Sequence, residues 1–159
     1  MFYNTKVAYG IPLHAERLSL RTTQPGGLHP YRLFNVDHCC YAVDSQEPLY
    51  GAIPVMYAHG PRRSSGIFWL NSAQTFVDVN RDAEDQVGAF FISESGMLEL
   101  FVLPGPTLRD AAVQYTTLTG TAPLPPLFAI AHHQSRYGNL TRSQTVRFVK
   151  FCVWEMVSH

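Results

Sequence analysis

Tyr50-Gly51-Ala52-Ile53-Pro54-Val55-Met56-Tyr57, Gly66-Ile67-Phe68-Trp69-Leu70 and Thr75-Phe76-Val77-Asp78-Val79 follow one another, with a basic polar turn at 60–65 between the first two. Each run is short, rich in β-branched and aromatic residues, and bounded by turn residues, so each reads as a strand. The first is apolar almost throughout, which fits a strand buried on both faces. The second is the most hydrophobic strand of the chain. Working outward, 17–21 alternates with Leu18 and Leu20 on one face, and Gln24-Pro25-Gly26-Gly27 then breaks the chain. Residues 31–41 are again aromatic and β-branched. On the other side lie a charged loop at 80–86 and two runs, 90–92 and 97–103, predicted to form a hairpin turning at Ser93-Glu94-Ser95-Gly96. Many short strands at this spacing predict an antiparallel β-sandwich and a mainly β fold.

One helix interrupts the pattern. Thr107 is placed to cap it, Asp110 occupies the capping-box position, and Gly120 closes it. Leu108, Ala111, Ala112, Tyr115 and Leu118 share a face at helical spacing. Before the Pro-rich Pro123-Leu124-Pro125-Pro126, it suits a linker helix between two domains: residues 1–120 as the sandwich and 121–159 as a second unit. That second unit opens with Leu127-Phe128-Ala129-Ile130-Ala131, which reads as a buried strand with polar residues, His132 to Arg136, gathered at its far end. Strands of this kind begin (β/α)8 barrels.

Hydrophobic residues make up 46% and charged residues 15%, enough for a packed core. Twelve basic side chains balance twelve acidic ones without a Lys/Arg cluster, which gives no support for nucleic-acid or polybasic membrane contacts. The apolar runs are far shorter than the roughly 20 residues of a membrane-spanning helix. No signal peptide is visible at the start, which points to the cytoplasm if the chain is complete. The three cysteines, Cys39, Cys40 and Cys152, make no disulfide framework and read as buried free thiols.

Familiar catalytic motifs are absent. No glycine-rich phosphate loop or nucleophile elbow is present. His132 and His133 are adjacent, so on a strand they point to opposite faces and cannot share a metal. No metal or organic cofactor is expected. Among the carboxylates, Asp82, Glu84 and Asp85 read as a solvated loop, Asp78 and Glu99 as outward positions on half-buried strands, and Asp110 as a helix cap. Asp37 stands apart in Phe34-Asn35-Val36-Asp37-His38. Aromatic faces beside one carboxylate suit a sugar, whose C–H faces stack on rings while its hydroxyls donate to the acid. The residues alone leave two readings open, a turn residue or a sugar ligand, and the turn is favoured.

These residues carry a resemblance. Tyr9-Gly10-Ile11-Pro12-Leu13-His14-Ala15 is similar to the Tyr-Gly-Ile-Pro-Glu-His-Ala segment of glycoside hydrolase family 31. The similarity continues in order through Pro30 to Asp37, Leu49 to Val55, Gly66 to Ala73, Ser93 to Gly96, Gly105 to Thr107, Tyr115 to Gly120, Pro125 to Phe128 and His133 to Arg136. It implies an N-terminal β-sandwich of the galactose-mutarotase-like kind, a linker helix and the first strand of a (β/α)8 barrel. It also implies that a sandwich loop reaches over the barrel and supplies an Asp to the terminal sugar. Asp37 matches that position, and Arg136 would lie near the active-site face at the end of the first barrel strand.

The departures are specific. Leu13 stands where the family has a glutamate, and the tail from Gly138 onward diverges. The family's nucleophile motif and its acid are not in these 159 residues. Eight βα units need about 200 residues or more, so the chain reads as the N-terminal fragment of an α-glucosidase. By lineage it would be a retaining exo-hydrolase acting on an α-glucoside or the glucosylated N-glycan. It would work in the lumen of the endoplasmic reticulum beside a non-catalytic β subunit, and the chain alone is expected to be inactive. The alternative is a non-catalytic β-sandwich that binds or interacts, or a truncated product without independent function. Asn139-Leu140-Thr141 is a formal glycosylation sequon.

Overall fold

A computed structural model describes residues 2–3, 5–23, 29–38 and 40–131. Residues 1–121 form one compact unit and 122–159 a second. The first unit is an antiparallel β-sandwich with a helix against one outer face, as the strand pattern predicts. Its strands are β1 (Phe2–Tyr3), β2 (Val7–Pro12), β3 (Tyr31–Leu33), β4 (Ala52–His59), β5 (Ser64–Trp69), β6 (Thr75–Arg81), β7 (Val87–Ser93) and β8 (Leu100–Leu103). One sheet has the order β1-β7-β6-β3 and the other β2-β4-β5-β8. Every pairing is antiparallel.

The contiguous apolar runs are explained by layering. Successive strand residues point to opposite faces. Met56 and Ile67 enter the core between the sheets, with Tyr31, Val77, Val79 and Val87. Their neighbours Val55 and Phe68 face the other way, into a second core with Leu103 and Ala111. The β4–β5 centre is therefore buried on both faces and cannot alternate with polar residues. In β6 Val77 and Val79 enter the core between the sheets and alternate with Phe76 and Asp78 on the other face, where Phe76 is exposed and Asp78 is covered.

The helix α1 (Leu108–Thr119) closes the second core. Thr107 caps it: the Thr107 hydroxyl accepts from the Asp110 amide at 3.1 Å, and Asp110 Oδ2 accepts from the Thr107 amide at 3.1 Å. The side-chain and then backbone bonds from Thr107 hold the Asp110 carboxyl below its ordinary range. The packed face is shifted from the expected one. Ala111 is fully buried and Tyr115 meets Phe68 edge-on at 5.2 Å, whereas Ala112 and Leu118 are exposed.

Several expectations are corrected. Residues 90–92 and 97–103 do not form a hairpin: β7 pairs with β6 and β1, and β8 with β5, so the segment between them crosses from one sheet to the other. Asn71 fixes that crossing, its Nδ2 donating to Ser95 O at 2.9 Å and Met97 O at 3.2 Å. Residues 17–21 form no strand, and Leu18 is exposed while Leu20 is buried. Asp78 is buried rather than outward in solvent, because the Thr23 hydroxyl covers it and donates at 2.9 Å. Cys40 is exposed, not buried. In the second unit, Leu127–Ala129 form a 3-10 turn in place of the expected strand, with Ala129 N donating to Pro126 O at 2.8 Å. Among the described residues no strand pairs with it, so no ladder holds it extended. Ile130 and Ala131, the rest of that expected strand, are bends, and the polar residues His132 to Arg136 lie outside the described residues.

Candidate functional site

Asp37 sits in the long connection from β3 to β4, residues 34–51. This connection is stitched to the sandwich by backbone bonds: Val36 N donates to Leu49 O at 2.8 Å, Leu49 N to Leu13 O at 2.8 Å and Leu13 N to Gly51 O at 2.7 Å. Ala15 N donates to Ser45 O at 3.2 Å and Asp44 N to Ala15 O at 2.8 Å. The segment that resembles Tyr-Gly-Ile-Pro-x-His-Ala is thus the scaffold of the Asp37 loop. At its start Gly10 has φ +107°, and a Cβ there would stand 2.3 Å from Val55 O, so only glycine fits. A bulge follows between Gly10 and Pro12, with Ile11 at φ 57°.

Beneath the loop lies a carboxylate that the sequence pattern does not single out. The Glu16 side chain is 0% exposed. Tyr31 Oη donates to Glu16 Oε1 at 2.5 Å, and Arg21 Nε lies 2.9 Å from Oε2 as an ion pair. Arg21 also donates to Asp44, which ties this buried group to the loop. His14 stacks obliquely on Tyr31, with ring centroids 5.5 Å apart. Burial first, and then donation to Glu16, push the Tyr31 phenol up to about 12. One signal could have revealed Glu16: it is the single acidic residue before Asp37, among several cations.

Asp37 itself is exposed, and among the described residues it makes no hydrogen bond or ion pair. Among the described residues its carboxylate is a free acceptor on an anchored loop. Before it, the Arg32 guanidinium covers the Phe34 ring at 4.3 Å and reaches the Phe76 ring at 5.9 Å. Phe34 and Asn35 line an open cleft of about 750 Å³, whose walls include Phe68, Asn71, Gln74 and Glu94. Asp37 is not among the lining residues, but the cleft's ring faces, amides and the Glu94 carboxylate suit a hydroxyl-rich ligand. Asp82, Glu84 and Asp85 do form an exposed turn, in which Asp82 Oδ1 accepts from Glu84 N and Gln86 N. Arg136, His132, His133 and Asn139 lie outside the described residues. Among the described residues no group of His, Cys, Asp and Glu could hold a metal ion.

Residues 1–78 match the glycosyl hydrolase 31 N-terminal galactose mutarotase-like domain. Neutral alpha-glucosidase AB of Homo sapiens is 41% identical over 147 residues, which cover 81% of this chain and 15% of the relative. Glucosidase 2 subunit alpha of Schizosaccharomyces pombe is 40% identical over 146 residues, covering 87% and 16%. The crystal structure of a glucosidase II alpha subunit bound to alpha3-Glc2 superposes with a TM-score of 0.73 at 39% identity, over 79% of this chain and 15% of that one. A heterodimeric ER glucosidase II complex, of the catalytic subunit and the binding domain of the regulatory subunit, gives 0.65 over 69% and 14%. The chain spans about 15% of the length of these relatives.

Proposed function

Because this chain belongs to the glycosyl hydrolase 31 family and carries its N-terminal galactose mutarotase-like domain, we propose that it is the sugar-facing sandwich of a retaining α-glucosidase. The reading rests on Asp37: an exposed carboxylate, without a partner among the described residues, on a loop bonded to the sandwich. In this reading Asp37 accepts hydrogen bonds from hydroxyls of the terminal glucose, and the anchored backbone on either side keeps it in place. Residues 121–159 begin the (β/α)8 barrel that supplies the reacting carboxylates, with Arg136 near the active-site face. One carboxylate attacks the anomeric carbon and the other protonates the departing oxygen. Water then resolves the intermediate with retention. The substrate is an α-glucoside, by lineage the glucosylated N-glycan, and the compartment is the lumen of the endoplasmic reticulum. A non-catalytic regulatory subunit is the proposed partner, supported by the solved heterodimer of a relative.

The test is a chimaera in which residues 1–131 replace the corresponding segment of a glucosidase II alpha subunit. A charge-assisted hydrogen bond contributes about 1.5–3 kcal/mol, so Asp37→Ala should lower kcat/KM roughly ten- to a hundredfold. Asp82→Ala, in the solvated turn, should leave it unchanged. Residues 1–159 alone should release no p-nitrophenol from an α-glucoside. Equal kcat/KM for Asp37→Ala and parent, at matched thermal stability, would return Asp37 to a plain turn residue.

A further inference from the structure

Glu16 is a sealed acid whose two strong contacts both lead to the Asp37 loop. A buried carboxylate is costly unless paired, and packed apolar residues would often give as much stability. Tyr31 Oη donates to Oε1 at 2.5 Å and accepts from Arg21 N at 2.8 Å. Tyr31 opens β3, the strand that runs into residue 34. Oε2 carries no hydrogen bond among the described residues; it is held by the charge of Arg21, whose Nε lies 2.9 Å away. Arg21 turns its Nη2 to Asp44, in the middle of the loop. The nitrogens of a guanidinium are fixed in one plane, so the position of Glu16 sets that of Asp44.

The neighbouring backbone repeats the grip. Ala15 N donates to Ser45 O at 3.2 Å, and Asp44 N donates to Ala15 O at 2.8 Å. Asp44 has φ 62°, in the left-handed region that Asp enters more readily than most residues. From there the loop returns through Leu49 to Val36, whose amide donates to Leu49 O at 2.8 Å, and Asp37 is the next residue. Glu16 is thus linked to Asp37 through side chains as far as Asp44 and through backbone from there.

We propose that Glu16 is a positioning residue: through Arg21 and Asp44 it holds the loop in the shape that presents Asp37 to the sugar. This role rests on the reading of Asp37 as a ligand of the terminal glucose. Glu16 touches no substrate, because its side chain is 0% exposed. Without its charge the Arg21 guanidinium is free to turn to solvent, and Asp44 keeps only its backbone bond to Ala15. The loop then stays attached, but the Asp37 carboxylate samples positions from which the hydroxyls are out of reach.

Two variants cut the link at opposite ends. Glu16→Gln removes the buried charge and keeps an acceptor for Tyr31. Asp44→Asn cuts it at a side chain that is 63% exposed, where folding is not at risk and the left-handed backbone is still favoured. In the chimaera each should lower kcat/KM about three- to tenfold, and neither should lower it further once Asp37 is alanine. Hydrogen exchange on residues 1–159 reads the same link without a sugar. The Val36 amide should exchange about tenfold faster in both variants, while the amides of β5 keep their parent rates. An undiminished loss in the Asp37→Ala background overturns the proposal, and so does an acceleration shared by Val36 and β5, since either makes Glu16 a support of the fold alone. Full activity of Asp37→Ala would defeat the sugar reading by itself, and the Val36 amide would still decide whether Glu16 holds the loop.

Discussion

The sheet β2-β4-β5-β8 is finished in opposite ways at its two margins. At β2 the chain folds back on itself: Leu13–Ala15 binds 44–51, and Glu16 is sealed beneath with Tyr31 and Arg21. At β8 four residues stop with apolar side chains and peptide groups turned outward. Each margin supports a different property. A carboxylate that must meet a ligand in a fixed place needs the stitched margin, whereas β8 carries no such bonds on its outer side among the described residues. Substitutions should therefore be far more costly at the first than at the second.

Gly10→Ala should have the largest effect. The positive φ and a Cβ 2.3 Å from Val55 O force the bulge to move, at a cost of about 3 kcal/mol or more. Urea unfolding of the two proteins measures it, and a loss below about 1 kcal/mol would mean that the β2 margin yields as easily as the β8 margin. The next effect is a pH dependence. The Tyr31 phenol, raised from 10.0 to about 12 in the fold, stays protonated when the unfolded chain has already ionised. Its contribution is complete below about pH 10 and disappears as pH climbs through about 12, a loss of roughly 2–3 kcal/mol. Denaturation midpoints from pH 9 to 12 should fall more steeply in the parent than in Tyr31→Phe, and parallel curves would remove Tyr31 from the clamp. Val102→Thr should have the least effect, under about 1 kcal/mol, because half of the side chain already meets water. A larger loss would show that β8 is not the open margin.

How far the fold could be read from sequence depended on how local its causes are. Val55-Met56 and Ile67-Phe68 are legible because a strand buried on both faces must be apolar on both. The Thr107–Asp110 cap is legible because its bonds span three residues. The crossing at 94–99 looks like a hairpin turn, since what distinguishes them is Asn71, 24 residues before Ser95. Asp78 looks like a solvated position because its cover, Thr23, is 55 residues away. For the candidate site, Asp37 stands out only through the family pattern. Glu16 acquires its importance from Tyr31, Arg21 and Asp44, a gathering that no short window contains.

The pairing of β1 with β7 sets an order of assembly. Phe2 lies opposite Gly88 and Tyr3 opposite Val87, so β1 waits for a strand made well after it. Translation proceeds at about 5–20 residues per second, so Gly88 is added some 4 seconds or more after Phe2. Meanwhile β4 can zip to β5 across a short turn as soon as both have left the ribosome. β1 must therefore wait for its ladder partner, and it can join the sheet only after β4 and β5 have had time to pair.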